Sequence, residues 1–354
     1  MIAFLSEYGL FLAKVATLVV AILFVVGGIV STAARQRGQG GDQHGDIRVR
    51  HLNEEFNELR DGIREAVLPE GERKQARKQQ RKEEKARAKA DKKANAVPGG
   101  APSKPRVFVL DFDGDVQASG VDALSREISA LLQVADKQDE VMVRLESPGG
   151  LVHSYGLAAS QLKRIRSQGV RLTVCVDRVA ASGGYMMACI ADRIVAAPFA
   201  VLGSIGVVAQ IPNFHRLLRK NEIDVELMTA GEYKRTLTMF GENTEHGRQK
   251  FQEELEDTHV LFKDFVREHR RGLDIDKVAT GEHWFGSRAK ELGLVDEIQT
   301  SDEYLLGRCR DAEVYEVTWH TRQKLAERLG LSFEAAVMRV TERWFHRGAQ
   351  RWWQ

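Results

Sequence analysis

Residues 171–197 read RLTVCVDRVAASGGYMMACIADRIVAA, and this stretch decides the fold. Leu172–Val176 is a short, β-branched apolar run of the kind that forms a buried strand, and Ile194–Ala197 is another. Between them Ser182-Gly183-Gly184 marks a turn and Tyr185-Met-Met-Ala-Cys-Ile190 an apolar helix. Strand, turn, helix, strand is the repeat of a mostly parallel α/β sheet. The same alternation surrounds it. Val107–Phe112 and Val141–Leu145 read as buried strands, with Val121, Leu124, Ile128, Leu131 and Leu132 recurring at helical spacing between them. Leu157, Leu162 and Ile165 mark a helix before Gly169, Val225–Met228 reads as a further strand, and Phe251, Leu255, Phe262 and Val266 give one apolar face to a helix over residues 242–269.

A serine between small residues at a strand-to-helix turn exposes its hydroxyl beside free backbone N–H groups, so Ser182 is the candidate nucleophile of a serine hydrolase. Histidine in a comparable local setting is absent, which turns the search for a base to Lys234, 52 positions downstream in Ala-Gly-Glu-Tyr-Lys234-Arg. A lysine serves as base only when neutral, and bringing its pKa from about 10.4 to near 7 takes roughly 4 kcal/mol of desolvation. Leu227, Met228 and Tyr233 are the apolar neighbours expected to supply it. Negative charge on a tetrahedral intermediate needs preorganised donors. Two are expected: the amide of Gly183, directly after the serine, and that of Gly150 in Glu146-Ser147-Pro148-Gly149-Gly150.

The 354 residues suffice for one large core with smaller appendages. Cys175, Cys189 and Cys309 are odd in number and lack CxxC or Cys/His ligand spacing, and Cys175 and Cys189 sit in apolar runs, so for these two buried thiols are expected rather than a disulfide or a metal site. The net charge of +2 conceals a basic run: between Arg73 and Lys93 eleven Lys or Arg face three acids. Without an apolar stripe, that run reads as a solvated, helix-prone tether rather than a nucleic-acid surface.

Val15–Ala34 is a run of twenty uncharged positions, eleven of them Val, Leu, Ile or Phe. At 1.5 Å per residue it matches a ~30 Å hydrocarbon core, and insertion of such a helix is favourable by roughly 3–6 kcal/mol. An uncleaved anchor fits better than a signal peptide, whose amino end is basic rather than carrying Glu7. Arg35, Arg37, Arg48 and Arg50 after it place the following chain in the cytoplasm by the positive-inside rule. Ile194–Ile211 is also uncharged, but Pro198, Gly203 and Gly206 interrupt it and mark core strands rather than a second span. The expected layout is an anchor over 1–37, a charged tether over 38–103, a catalytic domain over 104–300, and an amphipathic segment over 301–354. That last segment ends in Trp344-Phe-His-Arg-Gly-Ala-Gln-Arg-Trp-Trp-Gln354, suited to an interfacial or subunit contact.

The ordered set ESPGG, DRVAASGGYMMACIADRIVAAP, LGSIGV, the lysine after the serine and GSRAKELGLVDEI resembles the signal peptide peptidase A family of membrane-anchored serine proteases over residues 103–300. The resemblance implies a Clp-protease/crotonase-like fold, a Ser-Lys dyad acting on peptide bonds, no cofactor and a homo-oligomer sharing substrate grooves. It implies an inner-membrane, periplasmic setting, against the local charge. Carried over by position, Ser182 is the nucleophile, Lys234 the base, Gly150 and Gly183 the oxyanion donors, and Ser204 a residue that orients the lysine. His153 is the alternative base of a triad, and Asp177 and Asp192 read as turn or capping residues. A crotonase-like acyl-CoA enzyme shares the fold but uses carboxylates. A non-catalytic peptide-binding scaffold would not need both dyad residues.

Overall fold

The computed structural model describes residues 45–73 and 104–321, together with Lys14, Lys78 and Lys82. The chain divides into two compact units, 1–46 with 320–354 and 47–319, and the second carries the expected site. The described elements in chain order begin with β1 (Gly45–His51), α1 (Leu52–Val67), β2 (Arg106–Asp113), α2 (Val121–Leu131), β3 (Glu140–Glu146) and α3 (Val152–Ser167). There follow β4 (Arg171–Val176), β5 (Val179–Ala181), α4 (Gly183–Ala188), β6 (Arg193–Ala196), β7 (Val201–Gly203) and α5 (His215–Lys220). The remainder is α6 (Glu245–His269), α7 (Ile275–Val278), β8 (His283–Phe285), α8 (Gly286–Glu291), β9 (Glu297–Ile298), α9 (Ser301–Arg308) and β10 (Glu313–Thr321).

Among the described residues the strands make a seven-stranded sheet in the order β1-β10-β2-β3-β4-β6-β9 and a small sheet in the order β5-β7-β8. From β10 to β9 the large sheet is parallel. Its alternate residues feed two cores. Phe108, Leu110, Val143, Leu145 and Val174 face α2, α3 and α4, whereas Val109, Met142, Cys175 and Val195 pack with α9 and with Leu52 of α1. Burial on both faces is why these strands read as continuous apolar runs. Buried Phe262 and Val266 seat the last turns of α6 against the first core.

The expected α/β architecture is present, with differences that have physical causes. Residues 45–67, assigned to the tether, form β1 and α1. Asn53 is buried there and bonds the carbonyls of Cys309 and Ala312 and the N–H of Val314. The boundary at 300 falls inside the folded unit, because α9 and β10 complete the sheet. Val225–Met228 forms no strand. Val225, Leu227 and Met228 are exposed, so the run has neither a ladder partner nor a covering face. Of residues 194–211, expected as core, β6, β7 and Ile205 are buried in the fold, whereas Phe199 and residues 208–211 are exposed, because the chain leaves the sheets after Ile205. The expected span at 15–34 and the carboxyl-terminal amphipathic and Trp/Arg residues lie outside the described residues. Among those described, no helix is long and apolar enough to cross a membrane.

Candidate active site

The strand that delivers the chain into the turn is β5, a short strand that separates β4 from the serine. Ser182 follows it with φ 51° and ψ −118°, a combination costly for any residue with a Cβ. The cost is borne because both sides are fixed. The Ser182 N–H donates to the Gly203 carbonyl at 2.8 Å, and every residue of α4 after it is buried. Tyr185 of that helix donates its hydroxyl to the Leu294 carbonyl at 3.0 Å, and burial keeps this phenol protonated by raising its pKa. The serine itself is only partly buried, so its side chain remains reachable from solvent.

The Ser147-Pro148-Gly149-Gly150 turn lies directly against this elbow. Ser147 bridges to Ala180 in the parallel sense: its N–H donates to the Val179 carbonyl at 2.8 Å and its carbonyl accepts from Ala181 N–H at 3.0 Å. Gly149 adopts φ +90°, and a Cβ there would stand 2.8 Å from the Gly183 nitrogen and from the Ser182 Cβ. Only glycine fits such an approach. Gly183 opens α4, so its N–H has no acceptor within the helix, and neither it nor the Gly150 N–H donates to any described residue. Ser182, Gly183 and Gly149 are therefore together, with Gly150 the next residue of the turn, and the Gly183 and Gly150 donors are unpartnered among the described residues. That arrangement suits attack on a carbonyl and stabilisation of the oxyanion it produces.

Ser204 lies one residue beyond the carbonyl that accepts the Ser182 N–H, at φ 51°, with its own N–H donating to the Glu282 carbonyl at 2.7 Å. Lys234 is different. It is exposed in the single chain, and its ammonium makes no hydrogen bond or ion pair with any described residue, Ser182 and Ser204 included. The neighbours expected to desolvate it fail to do so: Leu227, Met228 and Tyr233 are all exposed, Met228 by 85%. The loop that carries it is nevertheless ordered. Asn213 donates to the carbonyls of Thr238 and Gly241, Phe214 stacks on Phe240, and the Lys250 ammonium of α6 lies 5.2 Å from the Tyr233 ring centre.

His153 is exposed with no bond to the serine, whereas Asp192 pairs with Arg166 and Asp177 accepts from the N–H and hydroxyl of Ser301. The two aspartates thus serve structure. Cys175 and Cys189 are buried free thiols, as composition indicated. The sequence reading passed over Tyr155 of α3, whose ring underlies Gly183, and the side chain of Ser147. Tyr155 stands at a helical position like any core aromatic, and its polar partner Asp115 is 40 residues away, so nothing local marks it.

A family model for the peptidase family S49 N-terminal region matches residues 3–162, and the peptidase family S49 model matches residues 164–314. The chain belongs to peptidase family S49 and is a serine-type peptidase. It is similar over nearly its whole length to "Probable protease SohB" of Haemophilus influenzae, with 52% identity over 344 residues, 96% of each chain. The "Probable protease SohB" of Buchnera aphidicola subsp. Acyrthosiphon pisum is 59% identical over 230 residues, 65% of this chain and 68% of that one. Among solved structures, a serine-to-alanine variant of the 1510-N membrane-bound stomatin-specific protease aligns with a TM-score of 0.42 at 13% identity, covering 61% of this chain and 98% of that one.

Proposed function

We propose that this chain is a membrane-anchored endopeptidase with a Clp-protease/crotonase-like fold that cleaves peptides or unfolded protein segments through an acyl-enzyme on Ser182. The strained Ser182 elbow, with the free N–H groups of Gly183 and the Gly150 turn beside it, carries the reading. As the Ser182 hydroxyl attacks the scissile carbonyl, Lys234 accepts its proton. The carbonyl oxygen gains negative charge between Gly183 and Gly150, and collapse expels the amine, which leaves with the proton from Lys234. Water activated by Lys234 then hydrolyses the ester. No cofactor enters these steps, and Ser204 orients the lysine.

A lysine base requires desolvation, which the single chain does not supply to Lys234. A second copy of the chain supplies it by covering the loop. Val208, Leu217, Leu227 and Met228 are exposed along residues 207–241 and are available to such a contact. Residues 15–34 hold the assembly in the inner membrane.

Ser182→Ala and Lys234→Ala are each expected to abolish peptide hydrolysis while leaving the thermal transition unchanged. A fluorophosphonate should label the wild-type chain at Ser182, as read by peptide mass, and label Lys234→Ala far more slowly. Full hydrolysis by Lys234→Ala would sink the dyad, and loss of activity in folded His153→Ala would point to a triad instead.

A further inference from the structure

The geometry points to Ser147 and Tyr155 as positioning residues: two buried hydroxyls that fix the Ser147–Gly150 turn so that Gly150, and no other amide of the turn, offers a free N–H to the substrate carbonyl. This rests on the reading that Ser182 attacks a carbonyl held beside Gly150 and Gly183.

The amides of the turn can be accounted for one by one. Ser147 N–H donates to the Val179 carbonyl, Pro148 has no N–H, and Leu151 N–H donates to the Val116 carbonyl at 2.9 Å. Gly149 N–H turns inward and donates to the Ser147 hydroxyl oxygen at 3.1 Å. Only Gly150 N–H is left over. Were the Ser147 hydroxyl absent, the Gly149 amide would lose its sole partner and the two glycines, which carry no Cβ to restrain them, would be free to exchange roles.

The direction of the bonds that link Gly149 to Asp115 is forced. The Asp115 carbonyl can only accept, so the Tyr155 hydroxyl, 2.7 Å away, donates to it. A phenol has one proton, so across the 2.5 Å contact between the two hydroxyls Ser147 must donate to Tyr155. Ser147 then has lone pairs only for Gly149. The chain runs one way, from Gly149 N–H through Ser147 and Tyr155 to the Asp115 carbonyl. Both side chains are wholly buried, so water does not compete for these bonds. Burial raises the Tyr155 pKa, more than the bond to Ser147 lowers it, and the phenol keeps the proton the relay needs.

Tyr155 also reaches the other donor. A Cβ on Gly183 would overlap the Tyr155 ring, with the Tyr155 Cβ itself only 2.8 Å from it. One side chain thus braces both walls: its ring lies under Gly183 and its hydroxyl holds the turn of Gly150. Preorganisation of such donors is a large share of catalysis, and deleting one costs about 10²–10³ in rate. Loosening a donor that remains present costs less.

The test uses the full-length chain in detergent. In Tyr155→Phe the ring stays under Gly183, while the Ser147 hydroxyl loses its 2.5 Å acceptor and is left only the long contact to the Gly114 carbonyl at 3.5 Å, which loosens the orientation that receives Gly149. Ser147→Ala removes the other end of the relay. On a fluorogenic peptide each is expected to lower kcat roughly ten- to thirtyfold, with KM unchanged within about twofold. Peptide affinity, measured in the same variants also carrying Ser182→Ala, should likewise hold. If Ser147→Ala does not fold, Tyr155→Phe decides alone. Unchanged kcat in Tyr155→Phe, or a loss matched by equal loss of peptide affinity, overturns the positioning role while an inactive Ser182→Ala parent leaves the nucleophile standing. A Ser182→Ala parent that still cleaves overturns the nucleophile, and this role with it.

Discussion

Ser182 holds a backbone conformation that favours glycine, with φ 51° and ψ −118°, and does so between a strand fixed to two neighbours and a buried helix. Strain of this kind costs about 1–3 kcal/mol at a residue with a Cβ. Replacement by glycine removes it but adds roughly 0.5–1 kcal/mol of unfolded-state entropy. Ser182→Gly is therefore expected to be inactive yet more stable than Ser182→Ala by about 1 kcal/mol, read from paired urea titrations. Equal stability of the two variants would show that the elbow is relaxed. At this scale a serine before two glycines and a second glycine pair stand out by type and spacing, and the structure sets Ser182, Gly183 and Gly149 side by side, while Lys234 remains exposed. Their surroundings were not legible in the sequence. The exposure of Lys234 depends on how residues 207–241 are covered, and the pairing of Ser147 with Tyr155 depends on helix α3 passing beneath a turn.

At the scale of elements, the hydrophobic period located β2, β3, β4, β6, α2 and α3, because each buries an apolar face, and α6, of whose apolar stripe only Phe262 and Val266 are buried. Helix α3 shows how the face can still be misplaced. It buries Tyr155, Ala158, Ala159, Leu162 and Ile165, while Leu157, counted on the apolar stripe, is exposed. The two- and three-residue strands β5, β7, β8 and β9 carry too few positions for any period, and tertiary pairing alone defines them. Strand β1 was hidden by its polar residues, two of which bind to β10: Arg50 meets Glu316 at 2.9 Å and His51 meets Glu313 at 2.8 Å. Helix α1 is pinned to the sheet through Asn53, whose three bonds to Cys309, Ala312 and Val314 close the end of β10. Asn53→Ala strands buried backbone groups and is expected to destabilise the fold by about 2–4 kcal/mol. Because α1 packs on the face of Val109 and Met142, away from α3 and α4, the kcat of the folded fraction should not change. A fall in kcat at full folding would mean that α1 contributes to the site.

For the whole molecule, the exposed lysine and the exposed apolar loop are one observation. Val208, Leu217 and Met228 stand in solvent in the single chain at 91%, 57% and 85% of their full exposure, on the same loop as Lys234. Burying side chains of this size gains about 1.5–3 kcal/mol each, so in the proposed oligomer a covering partner would be stabilised by the same contact that dries the lysine. Assembly and catalysis should then fail together. Val208→Glu and Leu217→Glu place a charge in that contact without touching the core, since neither side chain is buried in the chain itself. In mild detergent, sedimentation is expected to show a shift from oligomer to monomer. Peptide hydrolysis should fall at least tenfold in parallel, which corresponds to about 1.4 kcal/mol in the barrier, while the thermal transition of the isolated chain stays within a few degrees. Reactivity separates the two halves of the site. Monomeric variants should retain the Ser182 elbow, visible as resistance of α4 amides to hydrogen exchange, and yet label slowly with fluorophosphonate because no base is at hand. A monomer that cleaves peptide at the wild-type rate would place the base elsewhere and remove the need for a second copy.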